Sequence, residues 1–227
     1  MDALIPVARL QPLRQQSAPL RNRIIAALRS AIETGVFVPG ERLTEKDLCD
    51  QLGVSRTSLR EALRELQADG VLEYASNRSL TVSRISDEIA LNVYRIRAAL
   101  EALVVEQFIE SASDAQMGEL TDACERVMQA YRSGVLDEIL TTKRAFYDCI
   151  CIGAKNPIAF DMINRLLLRT SFLRRKSLSR RPRHDQSIGE LKELLAAIAR
   201  RDQATAHTLA LVHVQNSARS ALGQEDL

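Results

Sequence analysis

The sequence predicts a mainly α-helical chain in two parts. A small N-terminal helix-turn-helix unit closed by a β-hairpin comes first, and a C-terminal all-α antiparallel bundle follows. Three observations carry this. The 227 residues include only 9 Gly and 6 Pro, so turns are few and helices long. Aliphatic residues recur every three to four positions through residues 44–66 and again through residues 88–222. Between those stretches lie two short β-rich runs, Val71 to Tyr74 and Leu80 to Val82, joined by the polar turn Ala75 to Arg78.

The first part reads as follows. RIIAALRSAIETGVFVPGERL is an amphipathic helix ending near Gly35, followed by a Pro-Gly turn. Thr44, with Asp47 three residues on, starts a short helix that turns Leu48 and Leu52 inward. Gly53 ends it where a left-handed residue is needed. Ser55 caps the next helix, whose Leu59, Ala62, Leu63 and Leu66 form one apolar stripe. Arg56, Arg60 and Arg64 repeat every four residues on another face, with Thr57 beside them. Such a helix can enter a major groove, its guanidinium groups meeting phosphates and guanine edges. Glu61 and Glu65 leave open the plainer reading of a solvated charged face. Helix, helix-turn-helix and hairpin together make a winged helix.

Composition sets outer bounds. Hydrophobic residues make up 46% of the chain and aromatic residues 4%, with no Trp, so the core must be aliphatic. The formal charge is +2; residues 1–84 hold 12 basic and 10 acidic side chains and residues 85–227 hold 19 of each, so placement rather than bulk charge argues for nucleic acid. No apolar run approaches the ~18 residues of a membrane span, and the N-terminus lacks a secretory pattern. Cys49, Cys124, Cys149 and Cys151 form no Cys-x-x-Cys pair and read as reduced, packed thiols of a cytoplasmic protein.

The remainder is helical throughout. Residues 1–17 form an irregular arm, 18–84 the winged helix, and 85–222 a bundle of six helices beginning near Glu88, Ala115, Leu136, Pro157, Gln186 and Asp202. The Pro157 helix is expected to run to about Leu178. A basic cluster between Arg165 and Arg183 contains no acid; it reads as a solvated helix end, a dimer contact, a phosphate contact, or a source of inner-pocket charge from Arg165 or Arg169.

IETGVFVPGERL, LGVSRTSLREALRELQADGVLE and the hairpin resemble the N-terminal domain of GntR-family bacterial transcription regulators. YRIRAALEALVVEQ, AFYDCICIGAKNP and GELKELLAAIARRDQATAHTLALVHV resemble the effector domain of the FadR subfamily, the FCD domain. The resemblance implies a homodimer that binds double-stranded operator DNA through Arg42, Ser55, Arg56, Thr57, Arg60, Arg64 and the wing residue Arg78. Ser79 stands where the family usually has Gly after the wing Arg. It also implies a small organic acid in the bundle core, often on a divalent metal held by one Asp and three His.

Here the chain departs from that pattern. The Asp-x-x-x-His positions are Lys143 and Tyr147, the next His position is Leu191, and only His213 remains. One ligand of four cannot hold a metal firmly, so neither metal nor cofactor is expected. Lys143 would replace the missing charge and hold the effector's carboxylate, with Tyr147, Arg97, Arg169 and His213 around it. The alternatives are a surface lysine and a satisfied core histidine. The expected function is a ligand-responsive repressor in the cytoplasm, not an enzyme. An effector-independent DNA-binding protein is the alternative. So is a small-molecule enzyme using His184 with Asp185, or His213 with Lys143.

Overall fold

The structure is a computed structural model describing residues 18–75 and 79–223, with side chains from Leu20 onward. The arm of residues 1–17 and Arg78 at the wing tip lie outside the described residues. The N-terminal unit comprises α1 (Ala18–Glu33), β1 (Arg42–Leu43), α2 (Glu45–Leu52), α3 (Arg56–Ala68), β2 (Leu72–Tyr74) and β3 (Leu80–Val82).

Local chemistry sets the boundaries of the two helix-turn-helix elements. Thr44 Oγ1 accepts from the Asp47 N–H at 3.2 Å and starts α2. Gly53 ends it at φ 63°, a conformation that costs glycine nothing. Ser55 Oγ accepts from the Ser58 N–H at 3.3 Å and starts α3. Leu59, Ala62, Leu63 and Leu66 are buried, and they pack with Ile24, Ile25, Leu28 and Leu48 into one core. The sheet order is β1-β3-β2, all antiparallel, with Arg42 opposite Thr81 and Leu72 opposite Val82. The sequence pattern did not reveal β1, because two residues are too short to show an alternation.

The C-terminal unit is a bundle of seven helices: α4 (Asp87–Ser111), α5 (Asp114–Ser133), α6 (Leu136–Gly153), α7 (Pro157–Arg169), α8 (Ser171–Leu178), α9 (Arg181–Ala199) and α10 (Gln203–Leu222). Its core is aliphatic, built on Val104, Phe108, Leu120, Phe146, Ile150 and Leu194. Serine caps with side-chain hydrogen bonds open α4 and α5, and the second forms a complete capping box with Gln116.

Two expectations are corrected. The helix from Pro157 breaks at Thr170 instead of continuing to Leu178. Thr170 Oγ1 bonds back to the Leu166 carbonyl at 3.0 Å, and its ψ of 12° leaves the helical region, so the chain turns before α8. α9 starts at Arg181 rather than Gln186, because a proline in the first turn costs no helical hydrogen bond.

The two units share a boundary. Leu168 of α7 is buried in the winged-helix core. Asp69, the C-cap of α3, has a side chain only 2% exposed and receives Arg29 of α1 at 2.7 Å and Arg165 of α7 at 3.1 Å. Arg175 of α8 reaches the Glu33 carbonyl at 3.5 Å and Asp137 at 3.1 Å. All four cysteines are unpaired; burial pushes the Cys124 thiol up to about 11 and Cys151 to about 12, so both are inert at neutral pH.

Candidate functional site

Two regions carry chemistry. The first is the outer face of α2, α3 and β1. Ser55, Arg56, Thr57, Arg60 and Arg64 are all exposed on α3, opposite the apolar stripe that anchors the helix. Arg42 is exposed on the edge strand β1. Arg60 is held by Glu45 of α2, with Nε at 2.9 and 3.0 Å from the two carboxylate oxygens. That fork fixes the direction of the guanidinium, and its alignment did not follow from helical spacing. Ser55 Oγ is committed to capping α3 and contacts Ser58 Oγ at 3.1 Å.

The second region is a chamber inside the bundle. α6 brings Lys143 and Tyr147, one helical turn apart, to the same inner face; Arg97 and Tyr94 come from α4, and Arg174 and Ser177 from α8. In this state the chamber is nearly closed, with a cavity of about 20 Å³. Lys143 is 6% exposed. Burial, then the nearby Arg183 and Arg174, bring its ammonium down from 10.5 to about 7. Arg97 is paired with Glu101 at 2.7 Å, but its Nη1 finds no hydrogen-bond partner among the described residues. Arg174 forms no ion pair among the described residues; burial and then Arg97 lower it. Around the chamber itself Glu101 faces three cations.

Behind Lys143 stands a hydrogen-bonded chain. Lys143 Nζ lies 3.3 Å from His213 Nε2, and His213 Nδ1 lies 2.5 Å from Glu190 Oε2. Burial and then Lys143 lower His213 to about 4, so it is neutral at pH 7. The ammonium can only donate, which assigns Nε2 as acceptor and Nδ1–H as donor. Glu190 also receives both Arg183 nitrogens, at 2.8 and 2.6 Å, and Asn216 at 2.8 Å. Burial alone would raise this carboxyl, but the hydrogen bonds from His213 and Arg183 outweigh it and hold it at about 2.

This arrangement does not fit a metal. An ammonium sits where a carboxylate ligand would be needed, and it already occupies His213 Nε2. Leu191 is fully buried in the aliphatic core. Among the described residues, no three His, Cys, Asp or Glu side chains gather as a metal set.

The structure brings Arg97, Lys143, Tyr147 and His213 together. Arg169 is a correction: it is exposed at the end of α7 against Gly70 of the winged helix, outside the chamber, because the break at Thr170 turns it toward the other domain. Arg165 pairs with Asp69 instead of entering the chamber. Arg174, Arg183 and Glu190 are the residues that sequence reasoning missed. Their signal was an acid-free basic cluster and a Glu seven residues after Arg183 on the same helix. His184 gives Nε2–H to the Leu178 carbonyl at 2.7 Å and packs on Tyr131, as a satisfied core histidine does.

A recognition helix with outward arginines, coupled to a helical bundle holding a charged chamber, defines a two-domain winged-helix transcription regulator. Residues 20–82 match the family described as bacterial regulatory proteins of the gntR family, and residues 92–216 match the FCD domain. The chain belongs to the GntR family and carries an FCD domain. It is 32% identical to the HTH-type transcriptional regulator McbR of Escherichia coli over 142 residues, 63% of this chain and 64% of that protein. It is 26% identical to the uncharacterised regulator YdhC of Bacillus subtilis, over 82% of this chain and 84% of that one. It is 23% identical to the transcriptional repressor RspR of E. coli over 89% of both. The solved structure of E. coli McbR superposes with a TM-score of 0.79, at 26% identity, covering 91% of this chain and 99% of that one. No helix among the described residues is long and apolar enough to cross a membrane.

Proposed function

We propose that this DNA-binding regulator is a cytoplasmic homodimeric repressor, without enzymatic activity, released by a small organic acid that binds in the chamber without a metal. The observation that carries the reading is the buried Lys143, held by His213 and Glu190 where a metal site would otherwise lie. An anion entering beside Lys143, Arg97 and Arg174 offsets the cationic excess that burial makes costly. The chamber has room for about one water-sized probe, so the acid enters by displacing Arg174 and opening α8.

That movement has a path to DNA. Arg174 lines the chamber, and its neighbour Arg175 holds the end of α1 at the Glu33 carbonyl. α7, joined to α8 at Thr170, holds the end of α3 through Arg165 and Asp69. An acid that binds the opened bundle more tightly than the closed one therefore shifts the recognition helices. On the DNA, Arg42, Arg56 and Arg60 make the main contacts, with Ser55, Thr57 and Arg64 beside them. α4 and α7 pack together and expose Ile96, Leu103, Ile158 and Met162, which supports a second copy on that face. Repression agrees with the name of RspR.

The test is the thermal shift of the full chain against small mono- and dicarboxylates, with and without zinc, because a ligand of the native state raises the melting temperature. An acid that stabilises the wild-type protein but not Lys143→Met supports the reading. A large shift with zinc alone, or the failure of every acid to depend on Lys143 for its stabilisation, overturns it.

A further inference from the structure

A second cavity lies between the two domains, with a volume of about 590 Å³. That is within the roughly 300–1,000 Å³ range of ordinary ligand pockets, which form preferentially at domain interfaces. Its walls are apolar and come from both domains: Ile32 and Val71 from the winged helix, Leu168 and Phe172 from α7 and α8. Phe172 is 47% exposed. No acidic side chain lines the cavity, and its two charged groups are both arginines, Arg84 from the interdomain connection and Arg169 from the end of α7.

These arginines are placed rather than loose. The Arg169 guanidinium lies against Gly70, where an added Cβ would come within 3.2 Å of it. The Arg84 guanidinium lies against Gly40, where an added Cβ would come within 2.3 Å. Both glycines have left-handed φ, +70° and +84°, and so leave the backbone open for a side chain to rest on it. Neither arginine forms an ion pair among the described residues. Four other arginines at the domain boundary do: Arg29 and Arg165 meet Asp69, Arg144 meets Glu33 and Arg175 meets Asp137.

We infer that this cleft is a second ligand site, separate from the chamber, for an amphipathic carboxylate: one anionic head and an apolar body. The head meets the fork of Arg84 and Arg169, whose planar guanidinium groups suit a carboxylate. The apolar body lies between Ile32, Val71, Leu168 and Phe172. Because these residues come from both domains, an occupant favours the domain arrangement seen here over any arrangement that opens the cleft. The inference does not rest on the chamber's proposed role, since the α7–α8 elbow separates the two cavities.

The experiment is calorimetric titration of the full-length protein with decanoate, a carboxylate carrying a flexible apolar body. One saturable site is expected. Substituting both Arg84→Ala and Arg169→Ala weakens binding by about tenfold or more, the loss of two charge-assisted contacts. Phe172→Glu, at a half-exposed position, weakens it similarly by placing an acid in the cleft. Lys143→Met leaves it within about twofold, which separates this site from the chamber. The inference is overturned if decanoate shows no saturable binding. It is equally overturned if the double arginine variant binds as the wild type does, or if Lys143→Met abolishes binding.

Discussion

Replacing Lys143 by Met should make the protein more stable while making it unresponsive to the proposed acid effector. The ammonium is 6% exposed, and its ordinary value of 10.5 falls to about 7. At about 1.4 kcal/mol per pH unit, keeping this amine buried at pH 7 costs the fold about 4 kcal/mol. Met fills a similar volume without a charge. The substitution also removes the donor to His213 Nε2, now at 3.3 Å, which costs about 1–2 kcal/mol. The net gain at pH 7 is about 2 kcal/mol or more. For a chain of this size that corresponds to roughly 5 °C in Tm.

The sign of the pH dependence provides a stricter check. With its value lowered on folding, Lys143 binds fewer protons in the native than in the unfolded state between about pH 7 and 10.5. Its penalty therefore shrinks as pH rises, to about 2 kcal/mol at pH 9. Urea unfolding of the wild type and of Lys143→Met, at pH 7 and at pH 9, measures both quantities. A variant no more stable than wild type at pH 7 would refute the reasoning. So would a gap between the two proteins that stays constant from pH 7 to 9, since titration of a buried amine must narrow it.

Three further outcomes are expected. Arg56→Ala should lose about 1–3 kcal/mol of affinity for an operator fragment selected from random DNA, with a shallower salt dependence; fluorescence anisotropy at several salt concentrations that finds neither change removes Arg56 from the interface. Asp69→Asn should destabilise the fold by about 2 kcal/mol in urea, because it leaves Arg29 and Arg165 without their shared carboxylate, whereas Arg165→Ala, at a side chain 60% exposed, should cost well under half of that; equal costs would mean that the Arg29 contact contributes nothing and the pair across the domain boundary carries the whole effect. Gly153→Ala should destabilise by about 1–3 kcal/mol, since its Cβ would meet Phe108 Cδ2 at 2.4 Å in a packed core; an unchanged thermal midpoint would show that Phe108 has room to move.

Period and capping chemistry made much of this protein legible before any coordinates. Thr44, Gly53 and Ser55 mark the helix-turn-helix because capping is a local interaction between a side chain and a backbone a few residues away. The stripe of Leu59, Ala62, Leu63 and Leu66 fixes which face of α3 is buried, and so leaves Arg56, Arg60 and Arg64 outside. Lys143, Tyr147 and His213 could be singled out because the departure from a family pattern is visible at single positions. What the sequence could not supply is any partner chosen across long separations. The break at Thr170 is a one-residue backbonding event that leaves the hydrophobic period intact, so Arg169 and Arg174 could not be assigned to opposite sides of it. That Glu45 holds Arg60, that Glu190 anchors His213, and that Asp69 ties α3 to α7 depend on separate helices packing together. Sequence alone determines helices, their buried faces and their ends, because those follow from short-range periodicity and hydrogen bonding. Only the tertiary structure decides which charges meet in the dry interior and which line a cleft between domains, because burial and pairing there are properties of the packed whole.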